Sequence, residues 1–203
     1  MLVTALEPRR KRLTALFLDG ELAAKLDSET LLQSGLRIGM ELDDEELYRL
    51  IQRSDAHRAQ EKALYLLEHR SHSKKELADK ISRTAGREAA ERAAERMEEL
   101  GLVNDAQYAR NLAEELLQRK RFAARRAEYE LLQKGIDRAL AQEIVEELAP
   151  EPEESLRFLL EYQRSLSDEK GRRRVFAALQ RLGYSGEDIR TALRDYIDYE
   201  NED

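Results

Sequence analysis

ELADKISRTAG at 76–86, AEYELLQKG at 127–135 and VFAALQRLG at 175–183 each read as an amphipathic helix closed by a glycine. Gly86, Gly135 and Gly183 lie 49 and 48 residues apart. Each follows one apolar-periodic run and precedes another, the placement of a glycine that takes left-handed φ just past a helix C-terminus. Two of them are followed by an apolar residue and then a cap, Gly135-Ile136-Asp137 and Gly183-Tyr184-Ser185; the first is followed by Arg87 and Glu88 instead. A period near 48 residues is the signature of a modular helical array, whose neighbouring units bury one another's apolar faces.

Outward from these glycines, each unit divides into three helices. The first unit predicts helices at 55–69, 73–84 and 88–100, the middle one opened by the capping box Ser73-x-x-Glu76. The second predicts 105–118, 123–133 and 137–148. Beyond Pro150 and Pro152, the third predicts 153–164, 168–182 and 185–199, its last helix opened by Ser185-x-x-Asp188. The pattern differs before the units. Leu13 to Leu18 runs into Asp19-Gly20 and then Glu21 to Leu26, and Asp-Gly between two such runs is a strong hairpin signal. Leu2 to Leu6 supplies a third strand, since a lone hairpin is marginal in water. A short helix at 28–33 ends at Gly35, and a second opens at Asp43-Asp44-Glu45-Glu46 with Leu47, Leu50 and Ile51 on its apolar side. The expected fold is mostly α: tandem three-helix repeats in an elongated array, preceded by a small N-terminal β-hairpin or three-stranded element. The expected boundaries are 1–54 for the hairpin region with its short helices, 55–103, 104–149 and 150–199 for the three units, and 200–203 for an acidic tail.

Composition agrees with helices. Of 203 residues, 41% are hydrophobic and only 6% aromatic, so the core is drawn from leucine and alanine, both good helix formers. Absence of cysteine excludes disulfides, thiol nucleophiles and thiolate metal sites. His57, His69 and His72 would hold a metal only by recruiting carboxylates, and neither a metal nor a cofactor is expected. There is no phosphate-cradling glycine loop, HExxH or DxDxDG segment, so no enzyme is expected. The basic run at the N-terminus follows its short apolar stretch, the wrong order for a secretory signal, and no run approaches the ~18 apolar residues of a membrane span. A soluble cytoplasmic protein is expected. A net charge of -7 argues against coating nucleic acid by bulk electrostatics. Charge is uneven, though, at about +1 over 57–103 and about -4 over 150–203.

Several motifs resemble those of one family. Tyr65-Leu66-Leu67-Glu68-His69-Arg70-Ser71-His72-Ser73-Lys74-Lys75-Glu76-Leu77 resembles the opening motif of the RecX family of bacterial recombination regulators. Leu100-Gly101-Leu102-Val103-Asn104-Asp105-Ala106-Gln107-Tyr108-Ala109 and Glu130-Leu131-Leu132-Gln133-Lys134-Gly135-Ile136 are similar to two further motifs. Phe17-Leu18-Asp19-Gly20-Glu21-Leu22-Ala23 looks like the hairpin many members carry. In order, these motifs cover essentially the whole chain. The resemblance implies a regulatory protein that binds RecA monomer or filament, lies along the filament groove, and mostly inhibits filament extension, ATP hydrolysis, strand exchange and co-protease activity. The setting it implies is DNA repair, recombination and the SOS response, without catalysis or cofactor, and with a DNA contact in several members. Two features depart from the family pattern. Many members carry a glycine before the middle helix of unit two, where this chain reads Arg119-Lys120-Arg121-Phe122-Ala123-Ala124, which predicts a tighter or more helical turn. The chain is also acidic where some members are basic, which predicts weak single- or double-stranded DNA contact and more dependence on RecA itself.

The candidate contact residues are cationic. Arg70, Lys74 and Lys75 flank the start of a helix, where free N–H groups also favour an anion, and they stand between interface and ordinary solvated surface. Ser73 and Glu76 read first as caps. Arg119, Lys120, Arg121, Arg125 and Arg126 put five cations in eight residues, and Arg172, Arg173 and Arg174 recur at the equivalent place in unit three. Arginine suits bidentate recognition of carboxylate or phosphate, although charge runs are commonly just solubilising. Gly101, Asn104 and Asp105 read as a helix stop and start with Leu102 inserted at the junction, Tyr108 as a seam residue, and Gly135 and Gly183 as helix ends. Tyr65, Tyr129, Phe158 and Phe176 are expected in core or seam. The leading expectation is a monomeric RecA regulator. Alternatives are a helical DNA-binding module acting without RecA, and a scaffold with no nucleic-acid role.

Overall fold

A computed structural model describes residues 1–161 and 169–202, with side chains as far as 197. It is mostly α-helical, with repeated three-helix modules and an N-terminal three-stranded element, and divides into two compact units, Met1–Asn104 and Asp105–Asp203.

The first unit opens with an antiparallel sheet of β1 (Val3–Arg9), β2 (Leu13–Leu18) and β3 (Glu21–Asp27), in that order across the sheet. Asp19 and Gly20 take φ of 50° and 90°, as the β2–β3 turn requires. Helix α1 (Ser28–Ser34) is capped by Asp27, whose carboxylate accepts from Thr30 N, and ends at Gly35 with φ 71°. Helix α2 (Asp44–His69) opens with the Asp43/Glu46 capping box. Two helices were expected here, with a boundary at 54/55; the structure has one, of 26 residues and about 39 Å at 1.5 Å per residue. No glycine or proline falls between Asp43 and His69 to stop it. Its first half contributes Leu50 to a core with Val3, Leu16, Leu18, Leu26, Leu31 and Leu42. Its second half contributes Ala59 and Ala63 to a separate core with α3 (Lys74–Ile81) and α4 (Arg87–Glu99). That core is rich in alanine, which lets helix backbones approach closely. At the crossover Ser54 is buried, its hydroxyl accepting from Asp27 N at 2.7 Å.

Gly86 corrects the glycine reading. Its φ is -57°, and it precedes α4 as an N-cap instead of closing α3. Gly101 does take left-handed φ, 72°, after α4. At that junction the buried residue is Val103, 3% exposed, while Leu102 is 51% exposed.

In the second unit, α5 (Asp105–Glu114) runs into a π-helical turn at Glu115–Arg119, followed by α6 (Ala124–Gln133) and α7 (Arg138–Leu148). Of the two expectations for the turn before α6, the helical one fits and the tighter one does not: Lys120 N donates to Glu115 O, five residues back, in a π-helical turn, and Arg121 takes φ 54°. A third module follows with α8 (Pro152–Glu161), α9 (Glu169–Arg181) and α10 (Gly186–Glu202). The expected helix limits at 164 and 168 lie outside the described residues, as does Asp203, and α10 continues through the expected acidic tail to Glu202. Each module has its own core, one around Leu116, Leu117, Leu131, Ile144 and Val145, the other around Leu156, Leu160, Val175, Leu179 and Ile189. Gly135 and Gly183 take φ of 81° and 100°, turning the chain so that Ile136 and Tyr184 point inward, 3% and 5% exposed. The two modules join where Ala123 N donates to Leu182 O at 2.9 Å and Tyr184 Oη donates to Arg121 O at 3.0 Å. Among the described residues no helix is long and apolar enough to cross a membrane.

Candidate partner interface

The first cationic set lies at the α2–α3 turn. Ser73 is fully buried and its hydroxyl accepts from Glu76 N at 3.1 Å, fixing the start of α3. The Arg70 guanidinium grips Glu76 through two bonds of 2.8 and 3.1 Å and also donates to Ser71 O. Lys74 reaches Glu98 at 2.7 Å, so it ties α3 to α4, whereas Lys75 is exposed. Two of the three candidate cations thus spend part of their charge inside the module. Under them His72 is buried, Nδ1 2.9 Å from Arg70 O and Nε2 3.0 Å from Lys80 Nζ. That geometry fits a neutral ring which donates to the carbonyl and accepts from the ammonium. Burial, then the Arg70 and Lys80 charges, hold its pKa below the ordinary histidine value.

The second set surrounds the π-turn. Lys120 pairs with Glu115 at 2.9 Å; that hydrogen bond and charge, with Arg119 nearby, lower the Glu115 carboxyl from its usual range. Arg126 pairs with Glu130 at 2.7 Å and lies 5.2 Å from the Phe122 ring centroid. Arg121 stacks over Phe158 at 4.3 Å. Arg119 and Arg125 are exposed and form no ion pair among the described residues. The third set, Arg172, Arg173 and Arg174, is exposed in the first turns of α9, with Arg173 paired to Glu169. Cations near a helix N-terminus oppose the macrodipole, so neither α6 nor α9 gains stability from them there.

Two aromatic expectations need correcting, those for Tyr65 and Tyr129, while Phe158 lies under Arg121 at the seam between the second and third modules. Tyr65, Tyr129 and Phe158 are 53%, 54% and 39% exposed; they are not core residues, whereas Phe176 does pack against the third core. Lys62 lies over the Tyr65 ring and Arg121 over that of Phe158, shielding each without covering it. Tyr108 packs against the core of its own module, and Asn104 directly precedes α5 with Asp105 as its first residue.

The structure also assembles groups that the sequence does not connect. His57 Nδ1 lies 3.1 Å from Asp27 Oδ2, and Glu61, one helical turn along α2, completes a three-residue cluster with donor atoms that could hold a metal ion. The imidazole nitrogen is off the line of a hydrogen bond, so the contact is electrostatic and acts only when the ring is protonated. Arg12 bridges Glu61 at 3.0 Å and Glu29 at 3.5 Å, so one of the cluster's two carboxylates, Glu61, already has a cationic partner. Arg12 belongs to the four-cation tip Arg9-Arg10-Lys11-Arg12 between β1 and β2, all exposed. The consecutive basic residues were the sequence signal for this patch; their place beside α2 was not readable.

The family model described as the second three-helix domain of RecX matches residues 104–144. Solved structures share the fold. One crystal structure of a regulatory protein RecX aligns with a TM-score of 0.61 at 20% identity, covering 96% of this chain and 98% of that one. RecX from Lactobacillus salivarius gives 0.58, also at 20% identity, over 70% of this chain and 97% of that one. Sequence similarity reaches further. Regulatory protein RecX of Streptomyces lividans is 34% identical over 69% of this chain and 78% of its own. That of Caldanaerobacter subterraneus subsp. tengcongensis is 31% identical over 76% of this chain and 79% of its own. Identity at that level across most of a relative's length is more than shared architecture can account for: the chain belongs to the RecX family, and its role is regulatory and not enzymatic.

Proposed function

We propose that this chain regulates RecA in the cytoplasm, as a monomer, by binding RecA protein or its filament on single-stranded DNA. It limits filament extension, and with it ATP hydrolysis, strand exchange and co-protease activity, in DNA repair and the SOS response. The observation that carries the reading is the recurrence of exposed arginines around the start of the middle helix in consecutive modules, Arg119 before it and Arg125 within it in one, Arg172 and Arg174 in the next. Equivalent positions in successive repeats suit a partner that is itself a repeat, such as a filament of identical protomers. Arg119 and Arg125 in the second unit, and Lys75 in the first, supply orientation and salt-sensitive attraction, and the partly exposed Phe158 and Tyr129 supply apolar contact within the second unit. Modules at 55–103, 104–149 and 150–199 are the units of engagement in this reading.

The test is a titration of the protein into RecA-dependent ATP hydrolysis on single-stranded DNA, run beside a DNA-binding assay without RecA. Inhibition at concentrations where naked DNA is unoccupied supports the proposal. Occupied DNA with unchanged hydrolysis would replace it with a DNA-binding module that acts alone.

A further inference from the structure

We infer that Asp27, His57 and Glu61 form a binding site for a divalent transition-metal ion that pins the sheet to α2. The first reason is an orphaned atom. His57 Nδ1 is shut off from solvent and makes no hydrogen bond, although Asp27 Oδ2 stands 3.1 Å away. Buried polar atoms are nearly always paired, and one that is not points to a bound water or ion. The ring is not aligned to donate to Oδ2, and a carboxylate oxygen offers only lone pairs. Ligand atoms about 2.1 Å from one ion stand about 3.0–3.4 Å apart at right or tetrahedral angles, which brackets the 3.1 Å seen. A water about 2.8 Å from both atoms would hold them at about 67°, well inside the angle between its own O–H bonds, so an ion fits better.

The second reason is how the three ligands are held. Asp27 is 2% exposed; its N–H donates to Ser54 Oγ at 2.7 Å and its Oδ2 accepts from Thr30 N at 2.8 Å. That carboxylate is fixed in place by the fold. His57 and Glu61 lie four residues apart on α2 and share one helix face, the spacing of paired ligands on a helix. The donor atoms of all three residues lie within 4.8 Å of one another, and Glu61, which is exposed, is the ligand with room to move inward. Across the ring, Glu29 stands 3.9 Å from His57 Nε2, on the side where a carboxylate orients a metal-bound histidine through its other N–H. Asp27 and Glu61 also line a cavity of about 380 Å³, which gives an ion entry and room for the water ligands that complete its shell.

Charge and donor type then select the ligand. Three carboxylates, Asp27, Glu29 and Glu61, meet one guanidinium, Arg12, so the cluster keeps a negative excess. Arg12 donates to one oxygen of Glu61 and leaves the second to an ion. Of the remaining cations along the cavity, Arg58 pairs with Asp55 and donates to Thr84 O, Lys62 lies over the Tyr65 ring, and Lys11 is exposed. One imidazole with two carboxylates and no thiolate suits Zn²⁺ or Mn²⁺, whereas Mg²⁺ prefers oxygen ligands alone. Zn²⁺ should bind more tightly than Mn²⁺. The ion would tie the end of β3 to α2 at the point where that helix passes from one core to the next. This site is independent of the RecA reading and lies within the first compact unit.

The test is isothermal titration calorimetry of Zn²⁺ into the chelator-treated full chain, with Mg²⁺ titrated in parallel. His57→Gln, Glu61→Gln and Arg12→Gln are compared with the parent, and His69→Gln serves as a control on an exposed ring outside the cluster. The parent should bind Zn²⁺ with a stoichiometry of about one per chain. His57→Gln and Glu61→Gln should each weaken binding at least about tenfold, the least that even an outer-shell change costs a metal site. Arg12→Gln should tighten binding, because it releases Glu61 and Glu29, and His69→Gln should leave it unchanged. Zn²⁺ should also raise the Tm of the parent and not that of His57→Gln. Circular dichroism checks that the variants are folded, and both ligand positions are at least partly exposed on α2, so neither change opens a core. Lack of saturable Zn²⁺ uptake by the parent overturns the site. So does parental affinity in His57→Gln, which would put the ion on surface carboxylates, and so does Mg²⁺ binding as tight as Zn²⁺, which would reduce the effect to unspecific charge attraction.

Discussion

A Cβ placed on Gly183 would stand 2.5 Å from Arg126 Cβ, closer than real side chains approach, and Ala123 Cβ and Arg126 Cα lie 3.5 Å away. Gly183 is therefore both a helix stop, at φ 100°, and the place where the third module closes against the start of α6. Gly183→Ala should cost roughly 2–4 kcal/mol, adding overpacking to left-handed strain. Gly101→Ala, at φ 72° with nothing within 4 Å, should cost about 1 kcal/mol from the backbone alone. Urea midpoints of the two variants check the difference; equal losses would remove the close approach as a cause.

Arg121 holds the turn before α6 at φ 54° while its guanidinium lies on Phe158. Arg121→Ala keeps the strained backbone and loses the stacking, a loss of about 0.5–1 kcal/mol. Arg121→Gly loses the same stacking but relieves the strain, so it should be about 1 kcal/mol more stable than the alanine variant and close to the parent. Thermal denaturation in parallel would show this order, and an alanine variant matching the glycine variant would refute it.

These two positions show what could and could not be read from the chain. Gly135 and Gly183 were legible because an apolar residue and a cap follow each, leaving few other roles. Gly86 has Arg87 after it, and glycine also serves as an N-cap, so its φ of -57° fits the one signal that set it apart. Asp19-Gly20 was legible as a turn because both residues favour left-handed φ. Lys11-Arg12 was not, because neither does, and surrounding structure imposes it. The split of α2 failed for a related reason: the helix changes partners at Ser54, and a change of apolar face looks like a break. Low aromatic content suggested that rings would be spent on cores. The alanine-rich core of the first module left Tyr65 for the surface, and the mainly aliphatic cores of the other two left Tyr129 and Phe158 exposed.

Ser54 is where α2 meets the sheet. It is 1% exposed, and its hydroxyl accepts from Asp27 N at 2.7 Å. Ser54→Ala leaves a buried N–H without an acceptor and should cost about 1–3 kcal/mol. The readout is amide hydrogen exchange: protection at Asp27 and through β3 should fall while α6 and α7 keep theirs. Loss spread equally over both units would argue against a local role.

His72 makes the first module sensitive to acid. Its folded pKa is lowered by burial and by Arg70 and Lys80, so the unfolded chain binds the proton more readily. The stabilisation is complete above the unfolded value near 6.5 and is lost as pH falls through it towards the lowered folded value. Protonation would remove the acceptor for Lys80 and put two positive groups 3.0 Å apart. Stability should fall between pH 7 and 5.5 by at most about 1.4 kcal/mol per pH unit from this one group. The same titration on His72→Gln should show a flatter slope; an identical slope would place the sensitivity elsewhere.

The arginines near the π-turn do not all have the same work. Arg126 is bound to Glu130 and packed where Gly183 approaches, and Arg121 is stacked on Phe158, so reversing either charge disturbs the junction between modules. Arg119 and Arg125 are exposed, and replacing both with glutamate should not lower helicity or the urea midpoint, since glutamate at 125 suits the start of α6. If the second unit meets RecA through this edge, that double variant should need at least about tenfold more protein to inhibit RecA-dependent ATP hydrolysis, equivalent to about 1.4 kcal/mol of contact energy. The difference should shrink at high salt, where exposed charges are screened beyond about 3 Å at 1 M. Arg126→Glu should also lose inhibition, but together with stability. A variant of Arg119 and Arg125 that inhibits like its parent would make these side chains solvated surface and move the contact to the edge bearing Arg172 and Arg174.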